Sequence, residues 1–167
     1  MKEYKYETDE LGRVSKASGE LSLEKGERSP SAQLEAGGDD RLDTDDGGHL
    51  IGTRFAGSGE AENLVPMDRR VNRKVYKSFE NAWADALEDE KTVDVAVEAY
   101  YSDEGLRPSA IMGRYSIDGK TPDYFSITNW DLSSDEYDID SYDFPDGWDG
   151  MDHSPESELL PEDELEE

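Results

Sequence analysis

The chain has 167 residues, no cysteine and a formal net charge of −26, from 43 Asp/Glu against 17 Lys/Arg. This length suits one domain with a real core, and the missing cysteines exclude disulfides, thiolate metal sites and cysteine nucleophiles. No stretch approaches the ~20 apolar residues of a membrane span. Met1-Lys2-Glu3-Tyr4 opens no apolar signal-peptide core, so export would need another signal.

Residues 2–23 read as a hairpin: Tyr4 and Tyr6 alternate with polar residues, Asp9-Glu10-Leu11-Gly12 is a turn, and Val14 to Leu23 alternates weakly. Residues 24–48, rich in Gly, Asp and Ser, read as loop with short extended pieces. Leu50 to Phe55 is a short apolar stretch, a strand or short helix closed by Ala56-Gly57-Ser58-Gly59. A helix is predicted over 69–88, because Val71, Val75, Phe79, Ala82, Trp83, Ala86 and Leu87 repeat at helical spacing. Pro66 and Asp68 stand where a stop and an N-terminal cap belong. Thr92 to Tyr100 alternates like a half-buried strand, and 111–117 and 124–127 read as two more around the turn Asp118-Gly119-Lys120.

After Asn129 the periodicity stops. Residues 131–167 hold 16 of the acids and no Lys or Arg, broken by Pro145, Pro155 and Pro161, and read as a flexible or loosely docked tail. The fold class is therefore α+β, with a mixed or antiparallel sheet in a domain over 1–130 and an acidic tail over 131–167. The overall charge argues against a polyanionic ligand, but Arg69, Arg70, Arg73, Lys74 and Lys77 form one basic knot. Local charge decides whether a phosphate can dock. The tail, with Tyr137, Tyr142, Phe144 and Trp148 among its carboxylates, is either a nucleic-acid mimic for this knot or a solubilising segment.

Chemistry points to His49, one of two histidines; His153 lies in the tail. His49 follows Asp45-Asp46-Gly47-Gly48, whose glycines let backbone approach a bulky ligand. Imidazole is the natural general base for deprotonating water in line with a phosphodiester. On the helix, Asn72, Tyr76 and Glu80 are four residues apart and share one strip. An amide oxygen and a carboxylate at that spacing suit a hard, mostly hydrated divalent cation, Asn72 binding it directly and Glu80 through water. A solvated polar face would show the same strip; His49 is what favours a site.

These residues carry a resemblance. Asp45-Asp46-Gly47-Gly48-His49-Leu50-Ile51-Gly52, then Asn63-Leu64-Val65-Pro66-Met67, then Asn72-Arg73 with Glu80, resembles the DNA/RNA non-specific endonucleases, which are ββα-metal (His-Me finger) nucleases. In particular it is similar to the toxin-type subgroup at the C-termini of bacterial polymorphic toxins, including type VII secreted ones, and the resemblance covers roughly residues 4–128. The resemblance implies an embedded ββα-metal element, His49 activating water, Asn72 ligating Mg²⁺ (or Mn²⁺) directly, and Glu80 holding a bound water. Asp46, Gly48 and Asn63 would shape the site, while Arg69, Arg70, Lys74 and Lys77 would meet the nucleic acid. The implied products are a 5′-phosphate and a 3′-hydroxyl.

The sequence departs from that pattern at Gly47, where better-known secreted members carry an arginine. Transition-state charge must then be met by another cation; Arg54, Arg70 and Arg73 are the candidates. The expected substrate is DNA and/or RNA, with a cognate immunity protein as partner and no membrane. The expected setting is a target cell entered by secretion, or the cytoplasm before export. A catalytically inactive acidic decoy on the same scaffold is the alternative, and a metal-free phosphodiesterase a further rival.

Overall fold

The computed structural model describes residues 3–129. The acidic segment and its boundary with the domain lie outside the described residues. Seven strands run in chain order: β1 (Lys5–Thr8), β2 (Val14–Glu20), β3 (Asp45–His49), β4 (Leu64–Asp68), β5 (Val93–Tyr100), β6 (Ala110–Ile117) and β7 (Asp123–Thr128). Five form an antiparallel sheet of order β1-β2-β5-β6-β7, and β3 and β4 form a separate antiparallel ribbon. The class is thus α+β with antiparallel sheets only.

Alternation explains the large sheet. Along β5, Val93, Val95, Val97 and Ala99 are buried, while Asp94, Glu98 and Tyr100 are exposed. The buried face receives the long helix, where Phe79 stacks on Phe125 at 4.5 Å between ring centroids. Trp83 meets Tyr76 and Tyr115 edge-on at 6.1 and 5.7 Å. Offset and edge-to-face contacts suit the ring quadrupoles. Trp83 is 1% exposed, so its truncation to alanine would cost about 3–5 kcal/mol.

The helix expected over 69–88 starts with a wider coil. Val71–Tyr76 is a π-helical turn, followed by α2 (Lys77–Glu88). π-turns occur where side chains must be re-aimed, often at functional sites. Asp68 caps the start as expected, its Oδ1 accepting from the backbone N–H of Arg70 (2.9 Å) and Val71 (3.2 Å).

Two expectations need correcting. Pro66 is no helix stop: it lies inside β4, paired with Gly47. A two-stranded ribbon has only edge strands, where a missing N–H is tolerated. The region read as loop with short extended pieces, 24–48, holds most of β3 as such a piece but also a helix, α1 (Pro30–Glu35), capped by Ser29 Oγ accepting from Ala32 N at 3.3 Å. Of the two readings of 50–55, the short helix holds: Thr53–Phe55 forms a 3₁₀ turn.

The ribbon is buried along its whole length, so its strands show no alternation. One reason is α1, which packs on β3. A Cβ at Gly47 would stand 2.6 Å from the Gln33 Cα. No side chain fits there.

Candidate active site

The site is built by the ribbon and the start of the helix. From His49 onward the chain runs beside the helical strip. A Cβ on Gly48 would lie 3.1 Å from Asn72 Oδ1. The Leu50 carbonyl accepts a hydrogen bond from the Tyr76 hydroxyl. A Cβ on Gly52 would collide with Glu80 Oε2. Alternate residues of the 48–52 segment therefore meet successive turns of the helix. His49, 3% exposed, sits inside that row, one ~3.8 Å step along the backbone from Gly48.

Side chains fix the segment. Asn63, fully buried, accepts from Ile51 N (3.0 Å) and donates to Ile51 O (2.7 Å) and Ser58 O (2.8 Å). Its own carbonyl accepts from Leu50 N at 2.9 Å. The turn after His49 is held as firmly as a strand pair would be. Tyr76 is also fully buried; that burial, reinforced by the Glu80 charge, pushes its phenol well above the usual range, so it stays a donor.

Asp46 organises the helix side. Its carboxylate accepts from Asn72 Nδ2 at 3.0 Å and from Arg73 Nε and Nη2 at 2.8 and 2.9 Å. Engaging the amide nitrogen settles which end of Asn72 is oxygen, and that oxygen faces Gly48. The donor set along this row is thus one oriented amide oxygen, beside Gly48, and one carboxylate, Glu80, beside Gly52 and 4% exposed. Among the described residues no group of three or more His, Cys, Asp or Glu gathers. One amide and one carboxylate fit a small divalent cation that keeps most of its water, and do not fit a dehydrated cage.

The basic knot divides. Arg69 and Arg70 are exposed, Lys74 is half-buried, and Lys77 is 7% exposed, as deeply set as Asn72. Arg73 spends its fork on Asp46. Arg54 lies at the far end of the site, donating from Nη1 to Asn81 Oδ1 at 2.8 Å.

Two supporting groups escaped the sequence reading. Arg107 forms a bidentate pair with Asp45, at 2.8 and 2.9 Å, whose side chain is wholly buried at the start of β3. Asn129 accepts from Asp68 N (2.8 Å) and donates to Pro66 O (3.0 Å) and Pro108 O (2.8 Å). Both join residues more than 20 positions apart, which no local pattern announces.

A buried two-stranded ribbon followed by a helix, with histidine on the first and asparagine on the second, is the ββα-metal arrangement. The sequence matches the DNA/RNA non-specific endonuclease family over residues 1–119, and the chain belongs to that family. It is 37% identical over 122 residues to the type VII secretion system protein EssD of Staphylococcus aureus, covering 69% of this chain but 20% of that protein. A probable deoxyribonuclease, RhsA of Dickeya dadantii, is 34% identical over 68 residues, 41% of this chain and 5% of that one. The chain thus spans a fifth or less of the length of these relatives. Among solved structures, NucA of Streptococcus agalactiae with magnesium bound superposes with a TM-score of 0.64 at 20% identity, covering 80% of this chain and 73% of that one. Sda1 nuclease with bound zinc superposes at 0.57 and 17% identity, covering 78% and 75%. These two likenesses establish the shared fold.

Proposed function

We propose that the chain is a metal-dependent endonuclease that hydrolyses DNA or RNA phosphodiesters without reading sequence, and serves as the toxin part of a secreted effector. The observation that carries this is the row in which Gly48, Leu50 and Gly52 meet Asn72, Tyr76 and Glu80, with His49 inside it. Membership of the endonuclease family supports the activity, and the likeness to a type VII secretion protein supports the secreted role.

In this reading His49 takes a proton at a ring nitrogen as the water oxygen bonds to phosphorus. The P–O3′ bond breaks, leaving a 5′-phosphate and a 3′-oxygen that is protonated to a hydroxyl. Asn72 through Oδ1, and Glu80 through an intervening water, would hold Mg²⁺ or Mn²⁺. Such an ion, when bound, neutralises charge on the phosphoryl and leaving oxygens. Asp46 keeps the Asn72 amide oriented, and Asn63 keeps the turn after His49 in place. Exposed Arg69 and Arg70 address phosphates, which carry no sequence information. An active nuclease would cut its producer's nucleic acid, so a cognate inhibitor protein covering this site belongs to the same reading.

The test is degradation of plasmid DNA and of RNA with Mg²⁺, Mn²⁺ or EDTA. Cleavage is expected only with metal, to be abolished in His49→Ala, and to need more metal in Asn72→Ala. Cleavage in EDTA, or wild-type rates in His49→Ala, would overturn the assignment.

A further inference from the structure

Better-known secreted members that the sequence resembles carry an arginine where this chain has Gly47, and here α1 fills the space any side chain would need. The charge that arginine would supply has to come from another residue. Arg73 is a poor source, because Asp46 holds its guanidinium through two hydrogen bonds and cancels its charge. Arg69 donates to the Asp43 carbonyl, outside the row of site contacts. Arg70 is exposed, whereas Asn72 and Glu80 are buried on the strip that faces the 48–52 segment.

Arg54 differs on each count. A Cβ built on Gly52 would lie 3.7 Å from Arg54 Cγ and 3.5 Å from Glu80 Cδ, so the arginine stem and the carboxylate flank one glycine. Its Cζ is 5.5 Å from the Phe55 ring centroid, and its Nη1 donates to Asn81 Oδ1 at 2.8 Å. Asn81 directly follows Glu80 on α2. Its amide is neutral, so the contact fixes the guanidinium without cancelling its charge, and occupies one of five N–H donors.

Building on the nuclease reading, we infer that Arg54 donates to a non-bridging oxygen of the scissile phosphate, and that Asn81 is the residue that positions it. No bond is made or broken in this role. The guanidinium meets negative charge that grows on the phosphoryl oxygens as water adds.

Four full-length variants test this: Arg54→Ala, Arg54→Lys, Asn81→Ala and Asn81→Asp. Arg54→Ala is expected to lower kcat by about 10²–10³-fold, as for loss of one preorganised donor, with KM changed little. Added guanidinium should restore part of that rate, and Arg54→Lys should keep part of it. Asn81→Asp preserves shape and hydrogen bond but neutralises Arg54, so its kcat should fall at unchanged Tm; Asn81→Ala should fall less. Binding of a fluorescent duplex in EDTA should be unaltered throughout. Arg54→Ala turning over within threefold of wild type would overturn the inference. So would a loss of rate that guanidinium cannot rescue and that tracks lost Tm or duplex binding. If the wild type itself is inert, or His49→Ala matches it, the nuclease reading fails first and this role with it. An active wild type, a dead His49→Ala and an active Arg54→Ala would sink the Arg54 role alone.

Discussion

The Asp46 carboxylate accepts a hydrogen bond from Asn72 Nδ2 at 3.0 Å, and that bond decides which atom of the amide faces Gly48. A carboxylate on the neighbouring strand thus sets which polar atom Asn72 presents. Asp46→Ala should weaken Mn²⁺ or Mg²⁺ binding by about 10–100-fold, the range for partners that orient a ligand. Calorimetric titration of the variant would show it, and wild-type affinity would remove the orienting role.

Gly48 separates packing from function. A methyl there would lie 3.0 Å from Met67 Cβ and 3.1 Å from Asn72 Oδ1, so the amide has to give way. Gly48→Ala is expected to lose most metal-dependent activity for a stability cost of about 1–3 kcal/mol. Parallel melting and cleavage assays check the pair.

Gly47→Arg would introduce the arginine that better-known secreted members carry at this position. The fold argues against it, because even a Cβ would stand 2.6 Å from the Gln33 Cα. Overpacking against backbone should cost at least ~1–3 kcal/mol, and the variant should melt earlier without gaining rate. A stable, faster Gly47→Arg would mean that α1 does not seat on β3.

Asn63→Ala strips three side-chain hydrogen bonds from a fully buried residue and leaves the Ile51 N–H and C=O unpaired. A loss on the order of 3 kcal/mol in urea unfolding is expected. Restoring stability with a mutation elsewhere should not restore cleavage, since the turn after His49 would still be loose.

Asp68 gives a pH dependence. Burial, chiefly, raises its pKa above the ordinary 3.8, partly opposed by the Val71 and Arg70 N–H groups it caps. Its Oδ2 is buried without a hydrogen-bond partner among the described residues. A folded-state pKa above the unfolded value means the folded state binds the proton more tightly. The contribution is complete below the ordinary 3.8 and is lost as pH rises through the folded pKa. Asp68→Asn keeps an acceptor for the helix cap and removes this titration. Stability curves of the two proteins should diverge above about pH 4 in favour of the variant. Parallel curves would show that Asp68 is not perturbed.

What the sequence disclosed depended on periodicity. β5, β6, β7 and the long helix each bury one face, so Val93-Asp94-Val95 and Val75-Phe79-Trp83 carry a readable repeat. The ribbon carries none, because Asp45–His49 and Leu64–Asp68 are buried on both faces and include two glycines and a proline. α1 left only Ser29-Pro30 as a cue, in a segment dominated by turn formers. Motif residues His49, Asn72 and Glu80 were nameable from spacing and resemblance. Asn81, Arg107 and Asn129 were not, since each matters through a partner at least 21 residues away.

The Asn129 side chain bridges β4, through Pro66 and Asp68, and the segment just before β6, through Pro108. β7 therefore cannot peel from the sheet edge without also releasing Asp68, which caps the start of the long helix. Fraying of β7 and loosening of the helix start should be one event, and amide exchange at Asp68 and Asn129 should slow and quicken together.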